Sequence, residues 1–237
     1  MGGCTEFTWH SRLSEFIAYK MKDKIYPESG IELSPFISRH YDRILSIGSL
    51  GRFHRSIKKA LEAMNIQAED QILDMGCGTG LNAQLMLEYL KTKGGIQGMD
   101  ISEEMALQFQ KRFHYDERVL FVNQRIDQPF QLARKFDKVF MSFVIHGFPH
   151  EIRQVIIQNA LEHLKTGGSL FFLDYSEFEL GAMPRFHRAI FKAVECKYAF
   201  DFIERDWKSI LKELGFLDFK EHFYLKEYMR LLEAVKN

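Results

Sequence analysis

Three glycines alternate with other residues at Gly76, Gly78 and Gly80, two positions behind the carboxylate of Asp74. A second carboxylate, Asp100, closes the next apolar segment, and His146 follows a later one. These residue types suit a ligand crevice. Glycine allows φ > 0 in a tight turn and removes the Cβ where backbone meets a ligand. It also lets a helix begin close to a sheet. An acid at a strand end is placed to accept both hydroxyls of a ribose. A histidine titrates near neutrality and can take a proton from a hydroxyl, an amine or an acidic carbon. The competing reading of His146 is a residue that shapes its loop.

The spacing separates the ligands that glycine turns serve. A dinucleotide fingerprint reads G-x-G-x-x-G with an acid about 20 residues on. Here the run is Asp74-Met75-Gly76-Cys77-Gly78-Thr79-Gly80, and no Lys-Ser/Thr pair closes it, which excludes a Walker phosphate loop.

The elements around these residues alternate. Strands are expected over 71–75, 96–100, 119–123, 137–144 and 169–174, with helices over 80–91, 103–113 and 151–164 and a short helix after Pro129. Ser102 is the expected N-cap of the second helix, with Glu103 and Glu104 in its first turn. The segment 137–144 is nearly all apolar, as in a strand buried on both faces. The pattern implies a mostly parallel sheet with helices on both sides. Helical spacing recurs over 7–21, 34–47 and 51–64, where Arg52, Arg55, Lys58 and Lys59 form a solvated basic face. After the fifth strand, 177–205 is rich in aromatics and in Arg, Lys and His. A helix over 205–214 and two strands over 216–224 and 228–235 end the chain.

Asp74-x-Gly76-x-Gly78-x-Gly80, followed by Gly98-Met99-Asp100-Ile101-Ser102, resembles the S-adenosylmethionine site of class I methyltransferases. The resemblance covers about residues 50–237. It implies a Rossmann-like α/β fold with seven strands in the order 3-2-1-4-5-7-6. A helical extension would occupy 1–50, the cofactor-binding domain 51–237, and a cap insertion 177–205. It also implies the site. Gly76, Cys77, Gly78 and Gly80 would back the methionine portion, with Asp74 near its amino group. Asp100 would take the ribose hydroxyls and Ile101 would offer an apolar face to adenine. Adenine recognition falls on Gln124, Arg125 and Ile126, where the family places an acid; Asp127 and a backbone carbonyl remain alternatives. The backbone at Ser142 and Phe143 would face the methionine ammonium, with His146 the candidate base. Cys77 is expected to fill its turn rather than act as a thiol nucleophile.

Tyr41-Asp42, then Leu45-Ser46-Ile47-Gly48 and His54-Arg55, is similar to the ubiquinone/menaquinone-biosynthesis C-methyltransferases. In that family a tyrosine lies near the methionine end of the cofactor, and Tyr41 takes that place here. The family's Arg-Asn pair after the fourth strand is replaced by His146-Gly147.

A formal net charge of +0 and a pI of about 7.1 argue against a protein built to grip nucleic acid. Cys4, Cys77 and Cys196 are too far apart in sequence for a disulfide framework or a zinc pattern, so no metal is expected and the cytoplasm is the expected compartment. No apolar run is long enough to span a bilayer. The expectation is therefore a methyltransferase acting on a small or lipophilic acceptor and releasing S-adenosylhomocysteine. An RNA or protein acceptor, or a protein that holds the cofactor without turnover, is the alternative. A homodimer is admitted.

Overall fold

The computed structural model describes residues 52–237 together with 25, 26 and 29. The expected helices over 7–21 and 34–47, and Tyr41, lie outside the described residues. Helix α1 (Arg52–Ala63) precedes strand β1 (Gln71–Met75), and α2 (Leu81–Met86) follows it. Then come β2 (Gly95–Asp100), α3 (Glu103–Arg112), β3 (Val119–Asn123), β4 (Phe136–Ser142), α4 (His150–His163) and β5 (Leu164–Tyr175). Two helices, α5 (Arg185–Val194) and α6 (Lys197–Ile203), are inserted before α7 (Trp207–Glu213) and the final strands β6 (Phe216–Tyr224) and β7 (Met229–Lys236).

The seven strands form one sheet in the order β3-β2-β1-β4-β5-β7-β6. The first five are parallel, and β7 runs antiparallel between β5 and β6. The order reverses between β1 and β4, the place where an open α/β sheet opens a crevice beyond its strand ends.

Alternation along each strand builds two cores. Val139 and Met141 of β4, with Leu170 and Phe172 of β5, face α4, α6 and α7. Phe140 of β4, with Phe171 and Leu173 of β5, faces the opposite way, toward α1, α2 and α3. Helix α1 buries Ile57, Ala60, Leu61 and Met64, and leaves Arg55, Lys58 and Lys59 in solvent. Ser102 caps α3 as its type predicts: its hydroxyl accepts from the Met105 amide at 3.3 Å.

Several boundaries differ from the sequence reading. The helix expected over 80–91 stops at Met86, because Glu88, Tyr89 and Leu90 tighten to bonds three residues back and Lys91 donates instead to Ala68. No helix follows Pro129. There α4 satisfies the chain through its side chains: Asn159 donates to the Ile126 and Gln128 carbonyls, and the Leu132 amide donates to His163 Nε2. Strand β4 ends at Ser142 because Phe143 takes φ 52°, which turns the chain off the sheet edge. Strand β5 begins at Leu164, where it pairs with Phe136 across a register shift.

The inward face of α4 is not wholly apolar. Arg153 is fully buried among Ile156, Ile157 and Ala160. Its guanidinium donates to the Ile145, His146 and Tyr198 carbonyls and to Asp201 Oδ2 at 2.6 Å. It also lies over the rings of Phe202 and Trp207. One side chain thus ties the loop after β4 to the inserted helix α6. Arg153→Met should lower unfolding stability by about 3 kcal/mol, since it strands three carbonyls, while Asp201 keeps its pair with Arg205. Chemical denaturation measures this, and a loss within error of zero would refute the hub.

Candidate functional site

The C-terminal ends of β1, β2, β4 and β5 converge at the switch point. Asp74 sits near the end of β1 and is completely buried, yet neither carboxylate oxygen has a hydrogen-bond partner among the described residues. Burial, and then the charge of Asp100, push its pKa up to about 8. A buried carboxylate without a partner is a costly state that a cationic ligand group relieves.

Asp100 ends β2 and fixes the loop. Its Oδ2 accepts from the Gly78 amide and its Oδ1 from the Ser102 amide, both at 2.9 Å. Burial raises the Asp100 pKa, against the pull of these donors. The Gly76 and Cys77 amides both donate to the Met99 carbonyl, so the turn is strapped across the end of β2.

The glycines do distinct jobs. A Cβ on Gly76 would lie 2.5 Å from Val144 Cγ2, and one on Gly80 would lie 2.6 Å from Phe113 and 2.7 Å from Phe109. Both allow close approach to neighbouring elements. Gly78 differs: at φ +53° the nearest atom to an added Cβ is Met105 Sδ, 3.9 Å away. Gly78 is therefore required by its φ rather than by a close neighbour. Cys77 turns inward and is buried against Gly98. Burial and the nearby carboxylates push its thiol up, which removes it as a nucleophile.

Ile101 is 40% exposed beside Asp100 and offers an apolar surface at the strand end. The next positions are less uniform. The Gln124 amide donates to the Arg125 carbonyl, and Ile126 packs its side chain into the core. Arg125 pairs with Asp127, whose Oδ2 also accepts the Tyr26 hydroxyl at 2.7 Å. Asp127 is thus committed within the protein. Burial and Asp127 push the Tyr26 phenol up to about 12. Tyr26 also meets Phe148 edge-on, and the Ser29 hydroxyl donates to the Gly147 carbonyl at 2.7 Å. These two N-terminal residues lie against the turn that carries His146.

His146 occupies a single 3-10 turn, Ile145–Gly147, after β4. Its Nδ1 lies 2.7 Å from Asp174 Oδ1, and its Nε2 lies 3.5 Å from Glu195 Oε2. Glu195 accepts the Tyr175 hydroxyl at 2.6 Å through its other oxygen. Burial works to lower the His146 pKa, but Asp174 and Glu195 outweigh it and hold it above the ordinary value. The rings of Phe143, Tyr175 and Phe202 surround the imidazole edge-on. Sequence reasoning named His146 as the candidate base. It missed Glu195 and Arg153. Glu195 carries no local signal, because only the fold of the insertion brings it to His146. Arg153 did carry one, as a cation on the apolar stripe of α4.

Among known proteins, a methyltransferase-domain family model matches residues 72–168, from β1 into β5. The chain is a class I methyltransferase that uses S-adenosylmethionine. It is similar to the demethylmenaquinone methyltransferase of Bacillus licheniformis, 23% identical over 201 residues, covering 84% of this chain and 80% of that one. Two solved structures share the fold. One is an S-adenosylmethionine-dependent methyltransferase from Aquifex aeolicus, with TM-score 0.56 and 16% identity over 76% of this chain and 89% of the other. The second is human N-acetylserotonin methyltransferase in complex with S-adenosylmethionine, with TM-score 0.65 and 15% identity over 86% of this chain and 57% of the other.

The site fits the cofactor this methyltransferase uses. Asp74 is a buried carboxyl without a hydrogen-bond partner among the described residues, and Gly78 is not crowded by a neighbouring element. Among the described residues no cluster of three His, Cys, Asp or Glu side chains could hold a metal ion.

The electrostatics of Asp74 predict proton-linked binding. In the free protein its carboxyl holds a proton below about pH 8. Pairing with an ammonium requires the carboxylate, so the proton must leave. Affinity for S-adenosylhomocysteine should therefore rise with pH by up to roughly tenfold per unit below that value and then level off. Asp74→Asn should flatten the dependence. Calorimetry across pH checks both, and a flat wild-type profile would contradict the assignment.

Proposed function

We propose that the methyltransferase acts on a small, lipophilic acceptor that gives up a proton as it gains the methyl group. The reading rests on one observation: His146 is held at Nδ1 by Asp174 while its Nε2 edge, beside Glu195, lies among aromatic rings. A dyad of this form orients an imidazole and supports the imidazolium that forms. The aromatic surroundings suit an apolar acceptor. The similarity to demethylmenaquinone methyltransferases, whose name denotes a quinone-like acceptor, supports the same class.

Bound S-adenosylmethionine supplies an electrophilic methyl and its own leaving group, so catalysis needs mainly alignment and exclusion of water. The chain's residues divide that work. Asp74 holds the ammonium of the methionine portion, and the Gly76–Gly80 turn backs that portion. Ser142 and Phe143 border the same end. Asp100 accepts the ribose hydroxyls with the lone pairs that Gly78 and Ser102 leave open. Ile101 and the Gln124–Arg125 backbone flank adenine. The acceptor's proton passes to His146 Nε2, and Glu195 and Asp174 stabilise the resulting charge. Phe143, Tyr175 and the inserted helices exclude water. Tyr41 is assigned to the methionine end only by its family resemblance.

Two variants separate these roles. Asp100→Ala should weaken S-adenosylhomocysteine binding by about 1–3 kcal/mol, the scale of hydrogen bonds to a charged group; unchanged affinity would remove it from the ribose. His146→Ala should leave that affinity nearly intact and lower turnover by roughly 10²–10⁴-fold.

The wild-type rate should also climb as pH rises through the raised His146 pKa, because only neutral imidazole accepts a proton. Methyl-labelled cofactor incubated with lysate identifies the acceptor. Label in the organic extract supports the proposal; label in precipitated RNA or protein defeats it.

A further inference from the structure

Helix α5, Arg185–Val194, is amphipathic with its apolar side outward. Phe186 is 74% exposed, Ile190 47% and Val194 72%. At about 100° per residue these three, with Ala189 and Ala193, share an outward arc of roughly 140°. Only Phe191 is buried, on the opposite side, where its ring meets Tyr175 and Phe178 edge-on. Arg185 and Lys192 lie along one border of the arc, Arg188 lies behind them and donates to the Gly181 carbonyl at 3.1 Å, and the helix contains no acidic residue. This local excess stands out in a chain whose formal net charge is +0.

A helix that turns its apolar arc away from its own core, bordered by cations, has the pattern of one lying in a membrane interface. We infer that α5 docks the methyltransferase on an anionic lipid surface. Phe186, Ile190 and Val194 would enter the boundary between headgroups and acyl chains, and Arg185 and Lys192 would meet the lipid charges. The charge pattern favours lipid over a second copy of this chain, since two-fold pairing through α5 would bring its own cations together. The buried side of the helix ends at Tyr175, next to Glu195 and His146, so the docked face would bring the bilayer to the roof of the site. No helix among the described residues is long and apolar enough to cross a membrane, so the contact is peripheral. The inference does not depend on which acceptor is methylated.

The test is co-sedimentation of the full chain with vesicles of phosphatidylcholine, with or without phosphatidylglycerol. Wild-type protein should sediment with the anionic vesicles and much less with the neutral ones, and added salt should release it. Phe186→Ser with Ile190→Ser, and separately Arg185→Glu with Lys192→Glu, should each lower the vesicle partition coefficient by roughly tenfold or more. These side chains are on the surface, and unchanged binding of S-adenosylhomocysteine verifies that both variants are folded. Failure of wild type to sediment with either vesicle overturns the inference, as does equal sedimentation of wild type and both variants. Dimerisation abolished by the Phe186/Ile190 pair, without vesicle binding, would assign the face to a second copy and equally overturn it.

Discussion

Two carboxylates meet at the centre of this molecule, and the arrangement is incomplete without a cation. Asp74 and Asp100 lie at the ends of adjacent parallel strands, and burial followed by the charge of Asp100 raises the cost of ionising Asp74. The protein resolves one of them. Asp100 accepts two backbone amides and so fixes the glycine turn. Among the described residues Asp74 has no hydrogen-bond partner. Its cost is met in the free protein by protonation, and a cationic ligand group would relieve it. Its folded-state pKa lies far above the unfolded value of 3.8, so the free protein loses stability as pH rises from the carboxylate range toward 8. A bound ammonium reverses that loss. Ligand affinity and fold stability are therefore coupled through one side chain.

The second half of the site depends on Arg153. The turn that carries His146 is a 3-10 turn of three residues, which holds little by itself, and Ser29 and Asp174 bond only part of it. Arg153 supplies the constraint by bonding two of that turn's carbonyls and, across the gap, the Tyr198 carbonyl and Asp201. Burial lowers the Arg153 pKa, while Asp201 works to raise it, so the cation is held by its partners. The geometry of His146, Asp174 and Glu195 thus rests on a residue that touches none of the three side chains.

The cofactor half was legible in the sequence because its chemistry is local. A strand end, a glycine turn and a helix start are consecutive, and Asp74 to Gly80 spells them in order. The strands 71–75 and 119–123 were also legible, since short apolar runs bounded by turn residues have few other readings. The acceptor half was not. Glu195 and His146 lie 3.5 Å apart yet come from different elements, and nothing near either position signals the other. Helix ends failed for a related reason. The stretch after Met86 and the stretch after Pro129 are helical in composition, but Ala68 and the side chains of Asn159 and His163 took over their backbone groups. Tertiary partners decide such segments, and propensity does not see them.

The inserted helices join these themes. Phe191 gives α5 an inner anchor, and Glu195, just beyond its end, reaches Tyr175 and His146. His146 is thereby roofed by a helix whose outer side is apolar and bordered by cations. A helix with one buried aromatic has few contacts to hold it against the core, so its position is set largely by the polar links at its C-terminal end. Whatever occupies the outer face changes the balance at those links. The outer face of α5 and the setting of His146 are thus joined through the ten residues of one helix.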